Sequence, residues 1–344
     1  MGNIKDALSN KGVKPTLIGG QAVMEGVMMR GRKMYAMAVR LPDQTVQVVK
    51  KDLFPITDRY PILKWPVLRG IVAFIDSMVT GMRIITQSAE MITEGIPEEE
   101  EPSKWEKYLT KKFGDKLNEY ILYISVGVAL IFAIFLFMLL PVWIGHFFNP
   151  ILQNNTWALG IIEGLIRILI FLIYVYLISL SKEIKRVYQY HGAEHKTINC
   201  FEHQEELCVE NVKKHSRLHK RCGTSFLLIV MLMAMIVFIF VQTDVIWMRF
   251  ISRIILVPVI AGLSYEVIKW AGRNDNTFVN AISFPGLCLQ KITTAEPDDG
   301  MMETAIAAMK GVLESEPEQS GCQNNCSDNC SDNRLDSHQD SCPA

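Results

Sequence analysis

Residues 120–162 read YILYISVGVALIFAIFLFMLLPVWIGHFFNPILQNNTWALGII and contain no Asp, Glu, Lys or Arg. Two further stretches, 168–181 and 223–243, are also free of charged residues. A helix needs about 20 mostly apolar residues to cross the hydrocarbon core of a bilayer. Buried core helices are rarely this long and this free of charge. The sequence therefore predicts an α-helical polytopic membrane protein.

We predict four transmembrane helices in two hairpins: Glu119–Phe147, Trp157–Leu180, Gly223–Gln242 and Val245–Ile268. A tight Gln242–Thr243–Asp244 turn joins the last two. The fourth helix contains Arg249 and Arg253, which we expect to snorkel toward the outer interface. In the second helix, Glu163 and Arg167 are four residues apart and are expected to neutralise each other.

Positive charge indicates the topology. The segment between the two hairpins, residues 181–221, carries nine Lys and Arg residues, whereas the connection within the first hairpin carries none. Because Lys and Arg concentrate in cytoplasmic loops, we place this segment and both termini in the cytoplasm. The cysteines are then reduced thiols. Residues 1–16 are polar and show no signal peptide, so the spans themselves are expected to direct insertion.

Composition divides the rest of the chain. A formal net charge of −1 and the lack of a separate basic domain argue against a nucleic-acid partner and leave the lipid bilayer as the expected one. The predicted segments are 1–64, a cytosolic β-element with a Gly-rich motif; 65–118, an amphipathic membrane-surface helix and acidic linker; 119–180, the first hairpin; 181–222, a cytosolic His/Cys/Glu loop; 223–268, the second hairpin; 269–313, a cytosolic segment with a short helix at Met301–Leu313; and 314–344, a disordered Cys-rich tail.

The motif with the clearest chemistry is His191-Gly-Ala-Glu194-His195. If the second span continues as a helix through Lys182–Tyr190, the two histidines lie one turn apart on the same face. Two imidazoles at that spacing can share a metal ion, and Glu194 sits where it can move a proton of a water. The same H-x-x-E-H order occurs in one class of zinc hydrolases. A purely structural polar cluster is the alternative.

The third ligand stays open. His219 is the first choice, Cys222 the second, and Glu202 or Glu210 follow. Zinc with three protein ligands and an open position is typical of catalysis, whereas four ligands make a closed structural site. If His219 and Cys222 both bind, the site is therefore a structural one.

Residues 18–31 form a second unusual segment, IGGQAVMEGVMMRG. It has neither the ending of a P-loop nor a dinucleotide fingerprint, and it favours a tight turn packed against the membrane domain. Further candidate site residues are Gln21, Glu25 and Arg30 in this segment, Arg217 and Arg221 in the loop, and Glu266 near the end of the fourth helix. For Glu266, an ion pair with Lys269 is the simpler interpretation.

Several blocks resemble the YqhQ-like family of bacterial membrane proteins, a family of unknown function described as predicted metal-dependent enzymes. The blocks are Gly19–Gly31, Tyr190–Lys196 (YHGAEHK), Arg217–Phe226 (RLHKRCGTSF), Ala261–Lys269 (AGLSYEVIK) and Pro285–Asp299 (PGLCLQKITTAEPDD). The resemblance implies a bacterial inner-membrane protein and a metal carried by His191, Glu194 and His195. It implies no particular reaction.

Two functional hypotheses follow. The first is a zinc-dependent hydrolase, with another divalent metal as a variant, whose metal is held by His191, His195 and His219 and whose general base is Glu194. Its substrate is a membrane protein, a peptide or a lipid head group at the cytoplasmic surface. The alternative is a non-enzymatic membrane-protein biogenesis factor or scaffold with a structural metal site. Transport is disfavoured because few polar groups lie inside the spans.

Overall fold

The computed structural model describes residues 16–53, 60–93, 117–148, 150–152, 155–241, 245–271 and 276–315. The predicted acidic linker at 98–101, the turn at 242–244 and the Cys-rich tail from residue 316 lie outside these ranges. The strands are β1 (Gly19–Val23), β2 (Gly26–Arg30), β3 (Met34–Arg40) and β4 (Val46–Asp52). The helices are α1 (Leu68–Thr93), α2 (Leu117–Ile134), α3 (Leu140–His146), α4 (Thr156–Ser179), α5 (Lys182–Glu202), α6 (Val209–Lys214), α7 (Gly223–Phe240), α8 (Ile246–Ala271), α9 (Thr277–Thr293) and α10 (Asp299–Leu313).

Four helical segments in the described ranges are long and apolar enough to cross a membrane. They are Ile124–His146, Thr156–Ser179, Gly223–Phe240 and Ile251–Ala271. The first segment comprises most of α2 and all of α3, which are connected by a π-helical turn at Phe135–Leu139. The prediction of four apolar helices is confirmed. Their hairpin arrangement and their orientation in a membrane stay predictions.

The charged residues within these helices pair differently from our expectation. Arg253 is 1 % exposed and forms an ion pair with Glu163 of α4, so the prediction that it snorkels outward is wrong. Arg167 donates a hydrogen bond from Nε to the carbonyl of Phe137 at 2.9 Å and lies over the ring of Phe238, as Arg253 does. A charge buried among apolar helices is costly unless it is paired, and the carboxylate on the neighbouring helix supplies that pairing.

The predicted β-element is a four-stranded antiparallel sheet with the order β1-β2-β3-β4. One face packs against α5 and α10 in a core that includes Val27, Ala38 and Met309, and the other face packs against Ile84 of α1. Cover on both faces explains why β3 is buried along nearly its whole length. The sheet therefore fixes α5, which carries the His-Gly-Ala-Glu-His motif, relative to α1.

Helix α1 carries apolar residues on two faces. Ile84 is buried against the sheet, whereas Ile75, Met78 and Met82 lie exposed along another face. The helix also packs against α8, where Arg69 forms a two-point ion pair with Glu266. Neither of our two interpretations of Glu266 included this partner. The pair joins α1 to the end of the last apolar helix.

Two helices differ from the predicted C-terminal segment. Helix α9 was not predicted; it contains Pro285 and packs against α7 and α4. Helix α10 begins slightly earlier than Met301, because the side chain of Asp298 caps it by accepting a hydrogen bond from the Met301 amide at 2.8 Å. It is largely buried against the sheet and α5, and it completes the core on that face.

Candidate metal centre

The His-Gly-Ala-Glu-His motif lies within α5, but this helix is not a continuation of α4. The chain leaves α4 at Leu180 and starts a new helix after Ser181, whose extended backbone is the N-cap. Gly192 is needed at its position, because a Cβ atom there would lie 2.1 Å from the carbonyl oxygen of Ala295. The motif helix therefore packs directly on the backbone that follows α9.

Backbone carbonyls orient both histidine rings. Nδ1 of His191 is 2.9 Å from the carbonyl oxygen of Thr293, and Nδ1 of His195 is 2.6 Å from that of Arg217. Since a carbonyl oxygen only accepts, each Nδ1 carries a proton, which leaves each Nε2 as the nitrogen that can bind a metal once it is deprotonated. Metal-binding histidines are typically held in this way. The buried Nε2 of His195 makes no hydrogen bond with any described residue.

Cys222 completes the group from another element. It is the N-cap of α7, where its Sγ accepts a hydrogen bond from the amide of Thr224 at 3.4 Å, and it lies 3.2 Å from Nε2 of His191. The ligand atoms of His191, His195 and Cys222 all lie within 4.8 Å of one another. Two imidazole nitrogens and a thiol in this arrangement fit the donor set of zinc.

The electrostatics favour a thiolate. Burial alone would raise the pKa of Cys222, but positive charge on His195 and His191 and the hydrogen bond from His191 hold that pKa well below its usual range. Burial would lower the pKa of His191, and the Cys222 thiolate outweighs it and raises the pKa to about 9. Without a metal the two groups thus form a thiolate–imidazolium pair.

Glu194 lies beside this group in a cavity of about 640 Å³ that His191, His195, His219 and Cys222 also line. Burial raises the pKa of Glu194, although the two histidines and a hydrogen bond from the Gly20 amide act in the opposite direction. A Cβ atom on Gly20 would lie 2.7 Å from the Glu194 carboxyl, so the β1 backbone approaches it closely. A raised pKa suits a carboxyl group that exchanges protons near neutral pH.

His219, our first choice for the third ligand, lies at the edge of the group. Its ring centroid is 5.8 Å from that of His195, and its Nε2 is 3.4 Å from Oε2 of Glu202. The third donor beside His191 and His195 is therefore our second choice, Cys222. Glu202 also pairs with Arg221, and Glu210 is exposed on α6.

A glutamine that the sequence analysis missed holds the His219 backbone. Gln290 of α9 is fully buried; its Oε1 accepts from the His219 amide at 2.9 Å, and its Nε2 donates to the His219 carbonyl at 2.8 Å. Gln290 and Thr293 both lie within the Pro285–Asp299 block that carried part of the family resemblance. That block was the signal that pointed to them.

The remaining candidate residues have structural partners outside the metal-binding group. In the Gly-rich segment, Glu25 pairs with Arg186 through two contacts, Arg30 pairs with Asp76 at 2.7 Å, and Gln21 lines the cavity near Gly81. In the loop, Arg217 donates a hydrogen bond to the Thr294 carbonyl, and Arg221 donates one to the Thr16 carbonyl at 2.7 Å. These contacts tie the sheet, α1 and the segment before α7 around the cavity.

These features define a class: a mostly helical protein with four apolar helices of membrane-spanning length, a small antiparallel sheet, and a buried histidine–histidine–cysteine group beside a cavity. The family model described as "Protein of unknown function (DUF1385)" matches residues 65–315, and the chain belongs to this family. A relative described as "Uncharacterized protein YqhQ", from Bacillus subtilis (strain 168), is 38 % identical over 305 residues, which cover 88 % of this chain and 94 % of the relative. The family resemblance is thus confirmed. No solved structure matches the chain.

Proposed function

We propose that this chain is a zinc-dependent hydrolase of the peptidase type, embedded in the bacterial inner membrane with its site on the cytoplasmic side. His191, His195 and Cys222 hold the metal, and Glu194 is the general base. The observation that carries this proposal is the convergence of these three ligands beside Glu194 in one cavity.

The membrane placement rests on the four apolar helices and the distribution of charge. Both ends of the segment 181–221 adjoin apolar helices, and its nine Lys and Arg residues favour the cytoplasmic side. Two hairpins then leave both termini in the cytoplasm. The exposed apolar face of α1, with Ile75, Met78 and Met82, suits a helix that lies in the bilayer surface.

The donor set supports a catalytic rather than a closed metal site. Three protein ligands leave one position of a tetrahedral ion open. A bound zinc ion supplies a Lewis acid, which polarises a carbonyl group and lowers the pKa of a water. The chain's own contribution is to fix the three ligands through Thr293, Arg217 and the N-terminus of α7, and to hold a proton acceptor next to them.

Glu194 supplies the proton transfer. Its carboxylate accepts a proton from the attacking water and returns it to the leaving amine, which is the usual role of a general base in hydrolysis. The contact with the Gly20 amide fixes the carboxyl group at the cavity wall. Because burial favours the protonated form, the carboxylate takes up the proton of the attacking water readily.

A peptide suits the cavity because β1 is an edge strand of the sheet, and residues 18–22 line the same cavity as the metal-binding group. An extended peptide can add to such an edge through backbone hydrogen bonds. Tyr265 and Ile268, from the end of an apolar helix, form another part of the wall. This arrangement favours a peptide segment that emerges from the membrane.

The proposal is tested by metal analysis and peptide cleavage on the purified full chain, with Cys322, Cys326, Cys330 and Cys342 replaced by serine so that the tail does not bind metal. His191→Ala and His195→Ala should each lose one equivalent of zinc and all cleavage of a library of quenched fluorogenic peptides. Glu194→Gln should keep the zinc and lose cleavage. His146→Ala, the matched control at the end of α3, should change neither.

Two outcomes would overturn the proposal. Zinc content unchanged in His191→Ala and His195→Ala removes the metal site. Zinc lost in these variants together with cleavage retained in Glu194→Gln, or absent from the wild type, favours the scaffold alternative with a structural metal.

A further inference from the structure

A second group of metal-ligating side chains lies at the other end of α5. The ligand atoms of Cys200, Glu205 and His215 all lie within 4.8 Å of one another. Cys200 is fully buried, the side chain of His215 is 11 % exposed, and that of Glu205 is 43 % exposed. None of these residues belongs to the group formed by His191, His195 and Cys222. The second group therefore needs its own explanation.

Local backbone geometry brings the three side chains together. Helix α5 ends at Glu202, and Gln204 has a positive φ of 62° that reverses the chain. The Glu205 amide then donates to the carbonyl of Cys200 at 3.2 Å, and the His215 amide donates to the last turn of α6 at 3.1 Å. One ligand thus comes from α5, one from the turn and one from the end of α6.

The polar atoms in this group lack adequate partners. Nε2 of His215 is buried and lies 3.2 Å from Oε2 of Glu205, an ion-pair contact whose direction is poor for a hydrogen bond. The Cys200 thiol makes only weak contacts with the carbonyls of Glu205 and Glu206, at 4.0 and 3.5 Å. An imidazole, a thiol and a carboxyl group that face one another in this way are the donor types that zinc takes.

A further imidazole borders the group. The ring of His203 lies 4.9 Å from that of His215, centroid to centroid. Its Nδ1 donates to the carbonyl of Asn199 at 2.7 Å, which leaves the lone pair on Nε2. Thiolate, imidazole and carboxylate donors together suit zinc, whereas magnesium and calcium prefer oxygen ligands alone.

We propose that Cys200, Glu205 and His215 hold a second zinc ion, with His203 as the fourth donor. This ion has a structural role: it ties the end of α5 to the end of α6. The segment that follows His215 supplies the Arg217 carbonyl that orients His195, and it ends at Cys222. The second ion therefore fixes the start of the segment that delivers a ligand to the first site.

The test counts zinc per chain by mass spectrometry, in the full chain with the four tail cysteines replaced by serine. This parent protein, in which only the tail cysteines are replaced, should bind two equivalents of zinc per chain. Cys200→Ser with His215→Ala should keep one, and His191→Ala with Cys222→Ser should also keep one. Cys288→Ser in α9, the matched cysteine control, should keep both. The inference is overturned if Cys200→Ser with His215→Ala binds as much zinc as the parent.

Glu205→Gln is a second variant that should still fold, because the Glu205 side chain is 43 % exposed and glutamine has the same size. Titration with zinc should show one of the two affinities weakened by at least the roughly 10- to 100-fold that loss of an outer-shell partner costs, and the other unchanged. Two unchanged affinities contradict the second site. A parent that binds one equivalent and loses it only in the His191 and Cys222 variant also contradicts it, while the first site remains supported. If the parent binds one equivalent and loses it only in Cys200→Ser with His215→Ala, the second site is supported and the first site is contradicted.

Discussion

Substitution of Gly192 by alanine tests whether the packing of α5 on the chain after α9 positions the metal-binding histidine. The added Cβ would lie 2.1 Å from the carbonyl oxygen of Ala295, whereas Cβ contacts in proteins are essentially never shorter than 3.0 Å. The carbonyl must therefore move by about 1 Å. It has little freedom to do so, because the Ala295 amide donates to the Tyr188 carbonyl at 2.8 Å and Gln189 donates to the Glu296 carbonyl at 3.1 Å.

The magnitude follows from these contacts. Overpacking of this kind costs about 1–3 kcal/mol in folding free energy. Displacement of Ala295 also moves Thr293, whose carbonyl accepts the Nδ1–H of His191 at 2.9 Å. Loss of such an outer hydrogen bond weakens metal affinity about 10- to 100-fold. We expect both effects in Gly192→Ala.

The assay is a zinc competition titration with a chromophoric chelator, run with thermal unfolding on the detergent-solubilised full chain. Gly127→Ala is the control, because a Cβ atom on this α2 glycine would meet no atom within 4 Å. Gly127→Ala should leave the affinity and the melting temperature essentially unchanged. Equal affinities and equal melting temperatures for Gly192→Ala and the wild type would refute the argument.

Two further predictions concern buried ionisable groups. Glu163→Ala should destabilise the chain by about 3–5 kcal/mol, because it leaves Arg253 as an uncompensated buried cation; thermal unfolding should show the loss, and addition of Arg253→Met should recover most of it. Glu202 should make stability pH-dependent: despite burial, a hydrogen bond and positive charge from His219 and Arg221 lower its pKa from 4.5 to about 2. Because the folded-state pKa is depressed, this contribution is present above pH 4.5 and is lost as the pH falls from there toward about 2. The melting temperature of the wild type should therefore fall more steeply than that of Glu202→Gln over this range, and parallel pH curves would contradict the prediction.

Much of the architecture follows from local sequence. Uncharged runs predicted the four apolar helices, because the cost of burying charge acts on each segment separately. A small β-element was predicted ahead of the spans, and helical spacing predicted that α5 places His191 and His195 on one face. Helix α9 escaped prediction because Pro285 interrupts its pattern, and a proline inside a helix is tolerated only when surrounding contacts stabilise it.

The ligand groups depended on contacts between distant residues. The sequence placed His219 and Cys222 close together after the motif, and we ranked His219 first. The structure brings Cys222 to His191 because Cys222 caps α7 while Gln290 of α9 holds the His219 backbone. These contacts join residues up to 71 positions apart, so a local pattern could not rank the two candidates.

By itself, the sequence determined the four apolar helices and the histidine spacing within α5, since hydrophobicity and helical periodicity are properties of neighbouring residues. The pairing of Glu163 with Arg253, the approach of Gly20 to Glu194 and the meeting of His191 with Cys222 were decided by the tertiary structure alone. The physical reason is that electrostatic and hydrogen-bond partners are selected by distance in the folded chain. Packing of the sheet, α5 and α9 sets those distances.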